Sequence, residues 1–318
     1  MSPGLIVICG PTATGKSGFA QRLAEQYSLP ILNADSRQIY RDFSIGTAKP
    51  TLSDRRAADH YLVDEVDPKI AFTVAEYQAK AQALISHFHN QGIIPILAGG
   101  TGLYIKSITR GLIIPRVAPQ AELRSQLESW SQSILHQWLQ IVDPISATKV
   151  HANDQVRTLR ALEVFYVTGQ PLSAQQGEAP PSYPILSIGL DIPDLEQHTH
   201  LIRERVEQMI DNGWLHEVQD IESRYGSDLP LLKTLGYAEL QEHLRGKVTL
   251  QQAQESTVIH TRQFAKRQRT WFKAQPDITW IDAIQRDAWD RFRHITDDFL
   301  KQADTPMIHA PKIEAISS

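Results

Sequence analysis

The chain has 318 residues, of which 42% are hydrophobic and 21% charged, and its formal net charge is −4. This length allows one large domain or two smaller ones, and the composition is typical of a globular protein. The single cysteine, Cys9, excludes a disulfide framework and a cysteine-based zinc site, and it suits the reducing cytoplasm. No membrane-spanning run is present. The net charge argues against indiscriminate coating of nucleic acid but allows a local basic site.

The first signal is an apolar run, Leu5–Cys9, which predicts a buried strand. It is followed by a phosphate-loop motif and a helical pattern, and the motif consists of Gly10, Pro11, Thr12, Ala13, Thr14, Gly15, Lys16 and Ser17. Backbone N–H groups of such a loop surround phosphate oxygens at a helix N-terminus. Lys16 adds a point charge, and Ser17 can ligate Mg²⁺ carried by the phosphates. The motif predicts a site for a diphosphate or triphosphate.

Two further buried strands are predicted at residues 29–34 and 93–98. Asp35 follows the first of them, and it either faces the crevice of the phosphate loop or caps a helix beginning at Ser36. Thr101 follows the second, where it either offers a hydroxyl to a ligand or belongs to a tight strand–helix turn. Lys49 lies in a loop punctuated by Gly and Pro, where it could reach a phosphate, and the default interpretation is a solvated side chain.

The pattern then changes, and four segments are predicted. Residues 1–112 form the first part of an α/β core, residues 113–184 a helical insertion, residues 185–300 the second part of the core, and residues 301–318 a loose tail. Single helices are predicted over 121–141 and 195–225. Arg157 and Arg160 are three residues apart on one helical face, which is typical of salt-bridged surface arginines.

A basic helix is predicted at 255–273, with five cations and one carboxylate. Arg262, Lys266 and Arg269 fall at i, i+4 and i+7, so they are expected on one exposed stripe, with Phe264 and Trp271 nearer the core. Such a stripe can follow a nucleic-acid backbone, and the alternative is a merely solvated helix face.

Five motifs in this order resemble those of the tRNA dimethylallyltransferases, also called tRNA isopentenyltransferases, of bacterial type: GPTATGKS, NADSRQIYRDFSIGTAKP, LAGGTGLYIKS, VHANDQVRTLRALEVFYVTGQPLS and TRQFAKRQRTWF. The likeness covers roughly residues 1–283. It implies an α/β fold, with a P-loop NTPase-like parallel sheet and an inserted all-helical domain that binds the anticodon arm. It also implies transfer of a dimethylallyl group from dimethylallyl diphosphate to N6 of the adenine 3′-adjacent to the anticodon.

The resemblance implies roles for individual residues. Asp35 is the expected general base, Thr101 holds the amine of the adenine, and Lys16 and Arg205 bind the diphosphate together with the rest of the loop from Gly10 to Ser17. Mg²⁺ on Ser17 is the expected cofactor. A general base of this kind contributes about 10²- to 10⁴-fold to the rate.

The expected tRNA contacts are Asp35, Ser36, Arg37, Gln38, Thr101, Arg124, Val156, Arg157, Thr158, Leu159 and Arg160, with the basic stripe on the backbone. Two residues depart from the family pattern, because Val156 replaces a common Gln and Leu201 a common Arg. The expected partners are the tRNA anticodon stem-loop and dimethylallyl diphosphate, without a membrane, for a monomeric enzyme in the cytoplasm.

Three alternatives remain at this stage. The first is a small-molecule kinase that uses ATP, with Asp35 as base and Asp191 near Mg²⁺. The second is an isopentenyltransferase that acts on free AMP, ADP or ATP. The third is a non-catalytic RNA-binding module. The helical insertion argues against the first two, since a small acceptor does not need it, and the third leaves Asp35 and Thr101 without a role.

Overall fold

The computed structural model describes residues 3–303 and divides the chain into two compact units. Among the described residues, the first unit is discontinuous and comprises 3–106 and 182–303, whereas the second is the continuous segment Ser107–Pro181. The insertion expected at 113–184 therefore begins and ends a few residues earlier in the structure. The expected tail partly lies outside the described residues, and its first two residues belong to a helix.

The strands of the described chain, in order, are β1 (Leu5–Cys9), β2 (Ile31–Asn33), β3 (His60–Tyr61), β4 (Ile96–Ala98), β5 (Leu112–Ile113), β6 (Gly177–Glu178), β7 (Ile185–Asp191) and β8 (Thr279–Asp282). The helices are α1 (Lys16–Tyr27), α2 (Leu52–Ala57), α3 (Val74–Asn90), α4 (Gly102–Thr109), α5 (Ala121–Glu128), α6 (Gln132–Val142), α7 (Pro144–Lys149), α8 (Gln155–Thr168), α9 (Leu172–Gln175), α10 (Leu195–Asp211), α11 (Trp214–Tyr225), α12 (Tyr237–Leu244), α13 (Leu250–Lys273) and α14 (Ala288–Gln302). A short 3₁₀ helix spans Pro230–Lys233.

The first unit is built on a six-stranded sheet in the order β3-β2-β4-β1-β7-β8, and its strand pairs are parallel. Because parallel strands are connected through helices, both faces of the sheet are covered and its strands are apolar. Ile6, Ile8, Ile96 and Ile188 are buried in one cluster with Phe292 of α14. The predicted parallel α/β sheet is confirmed, and the carboxyl ends of β1, β2 and β4 lie side by side at one edge.

Local signals explain where the main helices begin and end. Thr249 and Gln252 form a reciprocal capping box that starts α13. The Asp194 side chain accepts hydrogen bonds from two backbone N–H groups at the start of α10. That helix ends before Gly213, whose φ of 97° requires a residue without a Cβ. The single helix predicted over 195–225 is therefore wrong, because Gly213 divides it into α10 and α11.

The second unit contains α5 to α9 and a short antiparallel ladder of β5 with β6. Its core includes Leu127, Leu135, Leu139 and Leu162, contributed by three different helices. The single helix predicted over 121–141 is wrong, because the chain breaks between α5 and α6. The buried Asp143 carboxylate caps α7 through Ser146 and also accepts two hydrogen bonds from Ser173. One carboxylate thus holds two helices of this unit together.

Candidate active site

The phosphate loop connects β1 to α1, in the strand–turn–helix context that its sequence predicts. Thr14 Oγ1 donates a hydrogen bond to the Pro11 carbonyl at 2.9 Å, and the Lys16 ammonium donates to the same carbonyl. The loop is thereby curled around one carbonyl oxygen. Ser17 lies in the first turn of α1 with an exposed side chain.

The loop passes very close to the neighbouring strand β7. A Cβ atom on Gly10 would lie 2.1 Å from the Leu190 carbonyl oxygen, and Gly10 has a φ of 133°. Only glycine satisfies both conditions. Ala13 and Gly15 also have positive φ angles, of 60° and 79°. The first glycine of the motif is therefore required by packing within the sheet, independently of any ligand.

Lys16, Arg205 and Asp35 form an electrostatic group at this edge of the sheet. Burial and, to a smaller extent, the positive charge of Arg205 lower the pKa of Lys16 to about 8, against the opposing effect of the negative charge of Asp35. Burial also lowers the pKa of Arg205, again opposed by Asp35. Two cations held near each other are stabilised by an anion, so this arrangement is suited to a polyanionic ligand.

Asp35 and Thr101 follow the neighbouring strands β2 and β4, and the turns that carry them are joined. The Thr101 amide donates to the Ala34 carbonyl at 3.0 Å, and Thr101 Oγ1 accepts from the Ser36 amide at 2.9 Å. Asp35 Oδ1 accepts from the Arg37 amide at 2.8 Å. Residues 36–39 form a turn, so the alternative of a helix cap at Asp35 is wrong, although its carboxylate does hold this turn.

A second set of contacts holds the phosphate loop at Thr12. The Thr12 amide donates to Gln268 Oε1 at 2.8 Å, and the Thr12 carbonyl lies 2.9 Å from His198 Nε2. Arg269 Nη2 lies 2.9 Å from His198 Nδ1. A guanidinium only donates, so Nδ1 accepts and the proton of the imidazole is on Nε2, facing the Thr12 carbonyl. Burial lowers the pKa of His198, which favours this neutral form.

An open cavity of about 930 Å³ lies beside the phosphate loop. Its cationic lining includes Arg205, Lys49 and Arg55, and its apolar lining includes Ile45, Leu201 and Met209. The cavity therefore offers both positive charge and apolar surface to a ligand held by the loop.

Two carboxylates shape the wall of this cavity. Glu217 accepts hydrogen bonds from the amides of residues 44, 45 and 46 and from the Tyr237 hydroxyl. Asp64 binds both Lys49 and Arg55. Lys49 is 8% exposed, so its interpretation as a solvated side chain is wrong. A lysine in a Gly/Pro loop carries no local signal that reveals such a partner.

Gln38 of the expected tRNA contacts is also engaged within the first unit. Its Nε2 donates to the carbonyls of Thr47 and Ala48 at 2.9 and 3.0 Å. Gln38 therefore holds the same loop that lines the cavity. Arg37, in contrast, is exposed.

The basic helix α13 differs from its prediction in orientation. Arg262 and Lys266 are exposed, but Arg269 points inward and binds Asp191. The expectation of one exposed stripe with three cations is therefore wrong for Arg269. Phe264 and Trp271, expected nearer the core, are 37% and 38% exposed. The buried positions of the helix are instead Ala253, Thr257, Val258, Thr261, Ala265, Gln268 and Phe272.

The second unit accounts for the remaining expected tRNA contacts. Arg124 and Arg160 both bind the fully buried carboxylate of Glu163, Arg124 through two hydrogen bonds. Thr158 and Leu159 are buried, so their side chains do not offer the tRNA contacts expected of this segment.

Two members of the same segment are exposed. Val156 is open to solvent, and Arg157 forms a 3.4 Å ion pair with Asp154. The salt-bridged character predicted for Arg157 and Arg160 is confirmed.

Within residues 3–303 there is no group of three or more His, Cys, Asp or Glu side chains that could hold a metal ion. No helix in this part of the chain is long and apolar enough to cross a membrane.

Comparisons with known proteins agree with the motifs. The family model "IPP transferase" matches residues 38–275. A tRNA dimethylallyltransferase of Acaryochloris marina is 62% identical over 287 residues, which cover 90% of this chain and 95% of that protein. A tRNA dimethylallyltransferase of a Nostoc species is 58% identical over 286 residues, covering 90% and 96%.

Two solved structures are also similar. The tRNA isopentenylpyrophosphate transferase of Bacillus halodurans superposes with a TM-score of 0.70 at 32% identity, covering 94% of this chain and 97% of that one. A eukaryotic dimethylallyltransferase acting on tRNA gives a TM-score of 0.79 at 28% identity, covering 95% and 80%. The sheet, the phosphate loop and these likenesses lead to one assignment. The chain belongs to the IPP transferase family, that of the tRNA dimethylallyltransferases.

Proposed function

We propose that this enzyme transfers the dimethylallyl group of dimethylallyl diphosphate to N6 of the adenine 3′-adjacent to the anticodon of tRNA. The observation that carries this proposal is the grouping of Lys16 and Arg205 with the carboxylate of Asp35 at one edge of the sheet. The two cations suit a departing diphosphate, and the carboxylate suits an amine that must lose a proton. Family membership supplies the class of reaction.

The donor site comprises the phosphate loop and the adjoining cavity. Amides of the loop, Lys16 and Arg205 bind the diphosphate, and the apolar side chains of Ile45, Leu201 and Met209 are compatible with a five-carbon group. During transfer the bond between C1 and the diphosphate oxygen breaks with its electron pair on oxygen. These groups stabilise the negative charge that develops there, which is the principal demand of the reaction.

The acceptor site comprises the turns after β2 and β4. The N6 amine forms a bond to C1 of the dimethylallyl group, and its proton passes to the Asp35 carboxylate. The Thr101 hydroxyl, already oriented by the Ser36 amide, holds the amine. A base inside a stacked anticodon loop reaches such a site only after it is flipped out. Arg157 of the second unit and Arg262 and Lys266 of α13 are the exposed cations proposed to bind the tRNA backbone.

Mg²⁺ fits this site as an ion bound mainly by its substrate. The described residues offer no cluster of carboxylates, but Ser17 presents an exposed hydroxyl at the end of the phosphate loop. Mg²⁺ usually retains waters and binds substrate phosphates with few protein ligands. When bound, it would neutralise charge on the diphosphate. Lys16 and Arg205 bind the same group from the protein side.

The kinase alternative is not supported. It places Asp191 near Mg²⁺, but this carboxylate is buried and binds Arg269, with Lys273 at 3.4 Å.

Because the acceptor is a tRNA, we place the reaction in the cytoplasm. We also propose that the enzyme is a monomer, which size-exclusion chromatography with light scattering would test.

The direct test is transfer in vitro, with nucleosides measured by mass spectrometry. Unmodified tRNA is incubated with the protein, Mg²⁺ and dimethylallyl diphosphate, and the position of the product is mapped by nuclease digestion. We expect one dimethylallyl group on the adenine 3′ of the anticodon, formed about 10²-fold or more slowly by Asp35→Asn. Faster transfer to AMP, ADP or ATP would identify a free nucleotide as acceptor. ATP hydrolysis stimulated by a small acceptor would favour a kinase.

A further inference from the structure

The side-chain amide of Gln268 joins two turns at the edge of the sheet. Its Oε1 accepts from the Thr12 amide of the phosphate loop at 2.8 Å, and its Nε2 donates to the Gly100 carbonyl at 2.9 Å. Gln268 projects from α13 and is 7% exposed. A buried amide whose two ends bind two different backbone segments fixes the distance between them.

The structure leaves room for this amide at Gly100. A Cβ atom on Gly100 would lie 2.5 Å from Gln268 Nε2, and the next nearest atoms would be 3.6 and 3.8 Å away. A methyl group there therefore conflicts with one partner only, the amide nitrogen of Gln268. The φ of Gly100 is not in the left-handed region, so its backbone would accept alanine.

Gln268 occupies one of the amides that the phosphate-loop motif offers. The Thr12 amide is bound to Gln268 and the Thr12 carbonyl to His198, so both backbone groups of Thr12 have protein partners. The Thr12 amide is therefore used for positioning, and the diphosphate is left to the later amides of the loop. The motif alone does not distinguish Thr12 from its neighbours.

The bridge continues to the expected acceptor site. Gly100 precedes Thr101, whose amide binds the Ala34 carbonyl and whose hydroxyl binds the Ser36 amide. The turn that binds the donor, the turn with Thr101 and the turn with Asp35 are thus linked in series. Gln268 supplies the first link.

We propose that Gln268 is a positioning residue that sets the spacing between the donor loop and the Thr101 turn, an inference that rests on the proposed function. Transfer requires the amine to lie in line with the breaking C1–O bond, and a displacement of about 1 Å can cost on the order of 10²-fold in rate. Loss of the bridge therefore lowers the rate of the chemical step more than it lowers the affinity for either substrate.

The test is a double-mutant cycle of Gln268→Ala with Gly100→Ala, read as single-turnover rates and as KM for both substrates. We expect Gln268→Ala to lower the rate by roughly tenfold to a hundredfold, with KM changed by less than about threefold. Gly100→Ala should lower the rate by displacing the amide. The double variant should have almost the same rate as Gln268→Ala alone, since the amide nitrogen with which the Gly100→Ala methyl group conflicts is gone.

Hydrogen exchange at the Thr12 amide provides a readout that does not depend on activity. Exchange should become faster in Gln268→Ala. In Gln268→Glu the Thr12 amide should stay protected from exchange, because the carboxylate still accepts its hydrogen bond. The rate of transfer should nevertheless fall, because the carboxylate has no proton to donate to the Gly100 carbonyl. The matched control is Gln263→Ala, an exposed position on the same helix, which should behave as the parent.

Unchanged single-turnover rates in an active Gln268→Ala variant would overturn the positioning role alone. Fully additive losses in the cycle, or a loss confined to KM, would overturn it too. A parent protein without transfer activity on tRNA would instead refute the proposed function together with this inference.

Discussion

Arg269 donates from Nε to both carboxylate oxygens of Asp191, at 2.8 and 3.1 Å. The pair connects α13 to the carboxyl end of β7, and the side chain of Asp191 is 6% exposed. A buried carboxylate without its partner is costly, by about 3–5 kcal/mol. This contact fixes the rotation of α13, so that Gln268 faces the phosphate loop while Arg262 and Lys266 face solvent.

The orientation of α13 predicts which of its cations bind tRNA. Replacing Arg262 and Lys266 by Ala should make the slope of log affinity against log salt shallower by roughly 1.5, because each phosphate contact releases counterions. Salt titration of tRNA binding measures this slope. Affinity for dimethylallyl diphosphate should stay nearly unchanged. A slope equal to that of the parent would mean that these two cations are only solvated.

Arg269→Met serves as the contrasting variant on the same helix. We expect it to lower the free energy of unfolding by about 3 kcal/mol, because among the described residues the Asp191 carboxylate keeps one paired cation, the exposed Lys273, and the Ile192 amide. Chemical denaturation measures the loss. If Arg269→Met is as stable as the parent and has a shallower salt slope, then Arg269 contacts tRNA rather than the fold.

Asp35→Asn should lower the single-turnover rate by about 10²-fold or more, because the amide cannot take a proton from the amine. The asparagine oxygen can still accept from the Arg37 amide, as Asp35 Oδ1 does at 2.8 Å, so the turn should persist. The affinity for tRNA should therefore change little. Normal turnover would show that Asp35 only holds its turn and that another group is the base.

The lowered pKa of Lys16 predicts how donor binding depends on pH. Burial lowers this pKa to about 8, so above that pH the ligand-free lysine is neutral and binding of the diphosphate must take up a proton. Affinity should then fall as pH rises, by up to about tenfold per pH unit. Calorimetric titration with dimethylallyl diphosphate gives the profile. The Lys16→Met variant should bind dimethylallyl diphosphate more weakly, and its affinity should not decline with pH. If the decline persists in this variant, another group is responsible for the titration.

Glu163 predicts an acid-sensitive step in the stability of the second unit. Hydrogen bonds from Arg124, Arg160 and the Gln120 amide lower the pKa of this buried carboxylate from 4.5 to about 2, against the effect of burial. Its stabilising contribution is therefore complete above the unfolded value and is lost as the pH falls from about 4.5 through about 2. Urea denaturation at several pH values measures it.

The corresponding variants are Glu163→Gln and, as control, Glu122→Gln at an exposed position of α5. Glu163→Gln should destabilise the protein by about 2 kcal/mol at neutral pH, since the hydrogen bonds of two partly exposed arginines lose their charged acceptor. The same substitution should also remove the part of the pH dependence of stability that is due to Glu163. Equal stability of the two variants would mean that solvent screens the Arg–Glu pairs.

Much of the fold could be predicted because its signals are local. Short apolar runs that end in Gly, Asp or Thr predict the strands around Ile6 and Ile96. The same runs predict the phosphate loop and the turns that follow the strands. The breaks at 129–131 and 212–213 were missed because Leu and Trp continue the helical pattern across them. Strand β8 was missed, since its four residues alternate too briefly to be recognised.

The orientation of α13 could not be predicted for a physical reason. Its buried face carries small and polar residues, such as Ala253, Thr257 and Gln268, whereas Phe264 and Trp271 are exposed. The apolar periodicity of α13 therefore predicts the wrong face of the helix as the buried one. The Thr257 hydroxyl donates to the Ala253 carbonyl within the helix, whereas Gln268 binds the backbone of two distant turns. The partner of such a long-range hydrogen bond cannot be read from the helix itself.

The order of strands in the sheet has a consequence for synthesis on the ribosome. Strand β1, which emerges before both of its partners, pairs with β4 on one side and with β7 on the other. Between these two partners the whole of Ser107–Pro181 must be translated, and this segment is continuous and compact. The inserted unit can therefore fold first, while one edge of β1 stays unpaired and open to association. A nascent chain of which Pro181 has left the ribosome and Ile185 has not should contain a folded insertion and an incomplete, protease-sensitive sheet.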